Sequence, residues 1–478
     1  MKHLFLPLCL LAYSTAAVRA QMTMSADTLI EVEQQHSTSG TSIEPASTPV
    51  PMMMSERHGW QLMLHGNGFV GDVQQQAVGE RGRDAFFSTN WVMPMAQRPL
   101  GPGQLTVRAM LSLEPATVGA RAYPELFQQG ETAFGKPIVD GQHPHDFVME
   151  LGALYDLPVA HYWLLSLYAA PVGDPALGPT AYPHRMSASE DPVAALGHHQ
   201  EDSTHIAFNV VTGGVTFGWV RAEVSGFHGG EPDEHRWALQ PSPNGHAIDS
   251  ASGRVTVSPT KDWTGQYSVG HIHAPEALYP GEDQQRQTAS VMWHHAFKTE
   301  AAAAMAPMPP GQDMKMDGNM AGMDMGAGSA SSSGSMQGMA GMAMPGMSMA
   351  VEPRMDLATT VLWGRTKSLA DGSKENSYLA EALLRFGKNY AWTRLENAGR
   401  SNELELTPGS AVAAGFVEAP VGHVAAYTLG YDRDFAVGKH LLAAPGVQGT
   451  VYRTPVALRG VYGDTPTGVV MFVRFRLR

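Results

Sequence analysis

Thirteen methionines stand between residues 305 and 349, separated by glycine, alanine, serine and aspartate. A thioether is a soft, neutral ligand that suits Cu(I) and, by the same reasoning, Ag(I), and it is a poor ligand for Zn(II) or Mg(II). It does not titrate, so such a site works at low pH. The run MKMDGNMAGMDM supplies Met314, Met316, Met320, Met323 and Met325, with Asp313, Asp317 and Asp324 interleaved. The run MQGMAGMAMPGMSM supplies Met336, Met339, Met342, Met344, Met347 and Met349. Glycine and serine spacing lets a flexible chain fold several sulfurs around one ion. The plainer alternative is a disordered linker whose methionines are incidental or scavenge oxidants. Cu(I) or Ag(I) is the expected ion, and no obligatory cofactor is expected.

A second set of donors is histidine. DGQHPHDF carries His143 and His145, and GHHQEDSTH carries His198 and His199. His-x-His and His-His spacings permit chelation, and imidazole is the commonest metal ligand. The alternative is a hydrogen-bonded polar network that packs long loops together. Ser203 beside His205 is the only local hint of a nucleophile. No nucleophile elbow, phosphate loop or His-Glu-x-x-His motif occurs, so an enzyme is not the leading expectation.

What could position these groups is set by the bulk of the chain. It has 478 residues, 43% hydrophobic and 16% charged, with a formal net charge of −13. The acidic balance excludes nucleic acid as a partner. MKHLFLPLCLLAYSTAAVRA, residues 1–20, reads as a secretory signal peptide. The single cysteine, Cys9, lies within it, which leaves neither a disulfide nor a thiolate metal site. No segment reaches the ~18 apolar residues of a spanning helix. A closed β-barrel remains open to the chain, because its strands need only about 9–11 residues each.

Period-two alternation runs through the chain from Trp60 onward. In GQLTVRAMLSLE, Leu105, Val107, Ala109, Leu111 and Leu113 share one face, and Thr106, Arg108, Met110, Ser112 and Glu114 share the other. DFVMELGALYD is read with Phe147, Met149, Leu151, Ala153 and Tyr155 opposite Asp146, Glu150 and Asp156. SYLAEALLRF and the closing GVVMFVRFRLR alternate likewise, although the chain ends in Arg478 where such barrels end in an aromatic residue. About sixteen such runs are separated by connections that alternate between short and long, as in bacterial outer-membrane barrels. Gly213-Gly214 is read as one of the short turns. The inward faces carry Arg108, Glu150, Arg221, Glu223, Glu381, Arg385, Arg394, Glu396, Arg474 and Arg476, charges that either make a field across an open pore or pair and close it.

The expected fold is therefore all-β: a transmembrane antiparallel barrel of about sixteen strands. Residues 21–58 are read as a disordered N-terminal tail, and residues 59–478 as the barrel, interrupted by a disordered Met-rich insert at 298–353. Parity puts that insert, with Met22, Met24 and Met52 to Met54 of the tail, at the short-turn, periplasmic end.

The phrases FFSTNWVMPMAQRPLG, GQHPHDFVMELG, LGPTAYPHRMSASEDP and GHHQEDSTHI resemble those of uncharacterised bacterial outer-membrane β-barrel proteins. The methionine runs resemble those of bacterial periplasmic copper-resistance proteins. Together the resemblances imply a bacterial outer-membrane location, with membrane lipid, a metal ion and periplasmic copper proteins as partners. The leading expectation is copper or silver handling, in which the insert captures Cu(I) and the barrel conducts it. The first alternative is a general porin or solute channel with an incidental linker. The second is an outer-membrane enzyme or receptor that uses the loop histidines.

Overall fold

The computed structural model describes residues 22–24, 26–79, 81–119, 121–202, 206–241, 245–297 and 355–477. The insert methionines Met314 to Met349, the expected signal peptide, and Ser203 and His205 lie outside the described residues.

Sixteen antiparallel strands close on themselves. They are β1 (Trp60–Gln76), β2 (Ala85–Leu100), β3 (Gly103–Leu111), β4 (Val148–Ala160), β5 (Trp163–Gly173), β6 (Ala207–Phe217), β7 (Val220–His228) and β8 (Ser250–Thr260). The circuit continues through β9 (Trp263–Ile272), β10 (Gln284–Ala296), β11 (Met355–Ser368), β12 (Lys374–Phe386), β13 (Asn389–Ser401), β14 (Pro420–Arg433), β15 (Leu441–Arg453) and β16 (Thr467–Leu477). Each pairs with the next in sequence, and β16 returns to β1 with Thr467 opposite Gln76 and Arg476 opposite Asn67. Closure leaves no edge with unpaired N–H and C=O groups, which is what lets strands cross a bilayer.

Side chains alternate across this wall as the sequence predicts. Leu167, Val211, Val361, Leu429 and Met471 are exposed on the outside. Trp163 and Phe217 pack at 4.6 Å between ring centres, and Trp263 and Trp293 at 5.9 Å, forming part of an aromatic band at the short-turn end. An outward apolar belt flanked by aromatic side chains is the lipid face of an outer-membrane barrel. The protein resides in the bacterial outer membrane.

Two local readings are corrected. The turn between β6 and β7 is at Gly218, with φ of 59°, and Gly213 and Gly214 lie within β6. Gly214 faces inward, where a Cβ would sit 3.3 Å from the Arg221 guanidinium. Gly214 makes room for Arg221, whereas a Cβ at Gly213 would meet nothing within 4 Å, and neither residue turns the chain. In β4 a bulge between Val148 and Glu150 shifts the register against β3. Met149 thereby turns into the lumen with Glu150 behind it, while Leu151 stays outside.

The larger correction concerns residues 21–58, expected to be disordered. Met22–Met24 pairs with a strand over Val50–Arg57, which in turn pairs with the start of β1, with Met54 opposite Met63. Between them α1 (Leu29–Gln35) starts from a capping box in which Thr28 and Glu31 cap each other's backbone N–H. Its Leu29 and Val32 pack on Ala26, Ile43 and Ala46. Residues 36–49 then thread the barrel interior, nearly all of them buried. A Ser/Thr-rich segment is disordered when water is its only partner. Here the partners are the inward polar groups of the barrel.

Candidate functional site in the barrel lumen

The short connections, at residues 101–102, 161–162, 218–219, 261–262 and 387–388, all lie at one end of the barrel. β10 and β11 pair along their whole length, to Ala296 opposite Asp356. The insert therefore leaves and re-enters the barrel at that same end, as parity requires.

From this end the tail fills the lumen. Arg108 of β3 donates to the carbonyl oxygens of His36, at 2.9 Å, and Gly40, at 2.5 Å, while also binding Glu150 at 2.6 Å. His36 Nε2 lies 2.5 Å from Asp156 Oδ2. Arg221 donates to the Thr41 carbonyl at 3.2 Å, and Arg254 to Thr41 Oγ1 at 2.8 Å. Glu33 accepts from Thr216 Oγ1 at 2.5 Å. Three wall arginines thus grip one strap of chain.

From the other end the described parts of the loops over 112–147 and 174–206 fold inward. Arg185, wholly buried, donates to Glu381 at 2.9 Å and Asp202 at 2.9 Å. Arg394 shares Glu381 at 3.2 Å and reaches Asp191 at 3.1 Å. Arg474 pairs with Asp432 at 2.9 Å, Asp434 at 3.0 Å and Glu190; Arg476 pairs with Asp434 at 2.7 Å. Arg385 pairs with Asp356, and Glu396 accepts the Leu196 backbone N–H. All ten inward charges read from the sequence therefore have partners within the barrel. Arg108, Arg221 and Arg474 are each only 1% exposed, so these groups line no open water column. Cavities of 30, 20 and 10 Å³ lie among the loop and wall side chains, room for single water molecules, and a polar cavity of 260 Å³ lined by Glu276, Gln284, Glu375 and Glu418 lies at the long-loop end.

The four loop histidines are held by carboxylates. Glu131 Oε1 lies 2.9 Å from His143 Nε2 and 2.6 Å from His199 Nε2. His145 Nδ1 lies 3.0 Å from Glu114, and His198 Nδ1 is 2.5 Å from Asp202. Burial alone would push the Glu131 carboxyl up, but His143 and His199 overcome it and hold it well below the usual range. Burial works against the charged form of His199, and Glu131 outweighs it, so the imidazole is raised. His198 is lowered, by burial first. Among the described residues no three or more His, Asp or Glu side chains are placed to hold one metal ion. Of these four pairs, His199 with Glu131 joins the two loops, and the other three brace one loop each.

A different set of donors joins two of the tail methionines noted in the sequence, Met52 and Met54, to five on the wall that were not singled out. Met52 and Met54 of the tail strand, Met63 of β1, Met93 and Met95 of β2, Met110 of β3 and Met149 of β4 form one buried cluster, with Val172, Ile206 and Phe208 beside them. Each of these seven is at most 3% exposed. His65 Nε2 lies 3.0 Å from Met93 Sδ, and His184 Nε2 lies 3.3 Å from Met110 Sδ. The two imidazole centres are 5.6 Å apart, with the Trp91 indole 4.4 Å from His184. The signal was present as spacing: Met52-x-Met54, Met63-x-His65 and Met93-x-Met95 each put two donors on one face of a strand. Met149 joins only through the bulge, which has no such signature.

No family model and no curated protein matches the chain. Solved structures similar to it are outer-membrane barrels. An anion-selective porin from Comamonas acidovorans is 11% identical, with 87% of this chain and 99% of that chain covered and a TM-score of 0.46. OmpT, an outer membrane protein of Vibrio cholerae, is 7% identical over 88% and 99%, at 0.45. Salmonella typhi OmpF, in complex with daunomycin, is 7% identical over 88% and 100%, at 0.46.

Proposed function

We propose that this protein is a porin-like solute channel of the outer membrane that its own N-terminal segment holds closed. The observation that carries the reading is the strap over residues 36–49, gripped by Arg108, Arg221 and Arg254 inside a closed sixteen-strand wall. A wall lined by charge is built for a polar lumen, and the strap is bound to it by hydrogen bonds that water can replace. Displacement of the strap toward the short-turn end would uncover the inward arginines and carboxylates.

In planar bilayers the full chain should hold a closed baseline with brief openings. A chain shortened by residues 26–49 should conduct in steps at least tenfold larger. An unchanged closed baseline would transfer closure to the loops over 112–147 and 174–206 and end the case for the tail as gate.

A second reading is copper or silver handling. It is supported by the thirteen methionines between residues 305 and 349 and by the attachment of that insert at the short-turn end. A peptide of residues 305–349 should bind Ag(I) and ignore Zn(II). Replacement of Met336 to Met349 by leucine as a group should abolish most of that binding. Loss of a single sulfur is too small a change to see.

A further inference from the structure

We propose that the methionine–histidine belt on the β1–β4 wall is a binding site for a soft monovalent cation, Cu(I) or Ag(I), distinct from the Met-rich insert. The proposal rests on the channel reading in one respect: it names the ion that the lumen would pass.

The barrel buries its apolar side chains in several clusters, and their composition separates them. The cluster around Leu126, Phe127, Leu404 and Tyr462 contains no methionine, nor does the one around Leu154, Tyr168 and Phe227. In the belt, seven of the ten buried members are methionine. Packing alone does not ask for this, since leucine fills the same volume with better-defined rotamers.

The imidazoles point the same way. His36, His143, His145, His198 and His199 each face a carboxylate. His65, 5% exposed, instead turns Nε2 onto the Met93 sulfur and, among the described residues, forms no ion pair. His184 turns Nε2 onto Met110. Two nitrogen–sulfur pairs therefore lie close together, with imidazole centres 5.6 Å apart, and nitrogen with thioether is a donor set for Cu(I) and Ag(I). All these donors are neutral, so a bound cation keeps its full charge in a buried place. That cost rises steeply with charge and favours a monovalent ion over a divalent one. The nearby Arg108 is already balanced by Glu150.

The belt also has a direction. Met63 lies near the short-turn start of β1, whereas Met110 and Met149 lie beside the long-loop ends of β3 and β4. Donors thus climb the wall from the end where the insert is attached toward the outer loops.

The test uses the full chain in detergent, loaded with up to one equivalent of Cu(I) against a competing Cu(I) chelator, and read by X-ray absorption. The sequence over 301–354 contains methionine and no histidine. An insert-only site therefore gives a sulfur shell alone, and the belt gives nitrogen with sulfur. We expect the mixed shell. The double substitution Met93→Leu with Met110→Leu, whose fold is checked by the heat-shifted gel band of a closed barrel, should weaken the mixed site at least tenfold. Replacement of Met336 to Met349 by serine should leave the mixed site in place. A sulfur-only shell in the parent, or a mixed shell of unchanged affinity in the leucine double variant, would overturn the proposal. Neither result touches the conductance of the tail-shortened barrel, which tests the channel separately.

Discussion

Two walls of the same lumen bury their side chains in opposite ways. On β1–β4 and the tail strand seven buried thioethers, neutral and pliable, form one patch beside the Arg108–Glu150 pair. On β11–β16 they are arginines and carboxylates locked into shared pairs, with Glu381 serving both Arg185 and Arg394. A buried thioether needs no partner and tolerates a neighbour's movement. A buried guanidinium without a carboxylate is costly, so its wall permits one arrangement. The first wall is suited to taking up a guest and the second to fixing the loops that lie over it.

The largest effect should come from breaking the paired wall. Glu381→Ala leaves two buried guanidinium groups short of a partner, and the loss should be about 3–5 kcal/mol. The urea midpoint of the purified barrel measures it. A shift no greater than that of a surface substitution would erase the contrast between the walls.

Gly40→Val comes next. Gly40 has φ of 55°, and a Cβ there would lie 2.5 Å from both Asp174 Cβ and the Asp174 carbonyl oxygen. A branched side chain cannot fit without moving the strap, at about 1–3 kcal/mol. Glutamyl endopeptidase, which can cleave after Glu33, should cut the tail faster while the barrel band survives, and the closed baseline in bilayers should become leaky. A tail cut at the parental rate would mean that the strap is not gripped here.

Met93→Leu alone should cost less than about 1.5 kcal/mol, because shape and volume are nearly kept. Its stability should barely move while Cu(I) affinity falls. That separation is what the thioether wall predicts and the paired wall forbids.

The smallest effect is on pH. His199 is raised above its ordinary value, so its pairing with Glu131 is fully present below the unfolded value of 6.5 and is lost as pH rises through the higher folded one. Glu131 has the opposite sign: it is depressed, and its contribution fails only in acid, below the usual carboxylate range. Hydrogen-exchange protection factors over residues 128–143, taken relative to the intrinsic rate at each pH, should therefore be highest in the mildly acidic window between those limits and fall on the alkaline side. A flat profile would show that these loops are held without the histidines.

How far the sequence revealed this molecule depended on which side of the wall a residue faces. The strands were legible, because lipid on one face and polar groups on the other enforce a period of two, as in Tyr378 to Phe386 with Glu381 and Arg385 between. The tail was not legible, because the usual rule that polar Ser/Thr-rich segments stay in water reverses when the interior is itself polar. Thr41, placed between Arg221 and Arg254, is a core residue here. The pairing of the inward charges was visible as a choice between two states, and contacts such as Arg185 with Glu381, from distant parts of the chain, decided it. The donors of the belt were written in spacing on separate strands, and only the barrel circuit brings those strands side by side.

The place where the insert joins the barrel has a consequence for how this chain can vary. Phe297 N–H donates to the Met355 carbonyl at 2.9 Å, so the insert begins and ends at neighbouring points of a completed ladder. Closing such a loop depends on its length only logarithmically, and doubling it adds about 0.6 kcal/mol. Residues can therefore be gained or lost in this segment with almost no penalty to the barrel. On the copper reading proposed above, the number of thioethers on offer would change with each such step, independently of the wall that holds the segment.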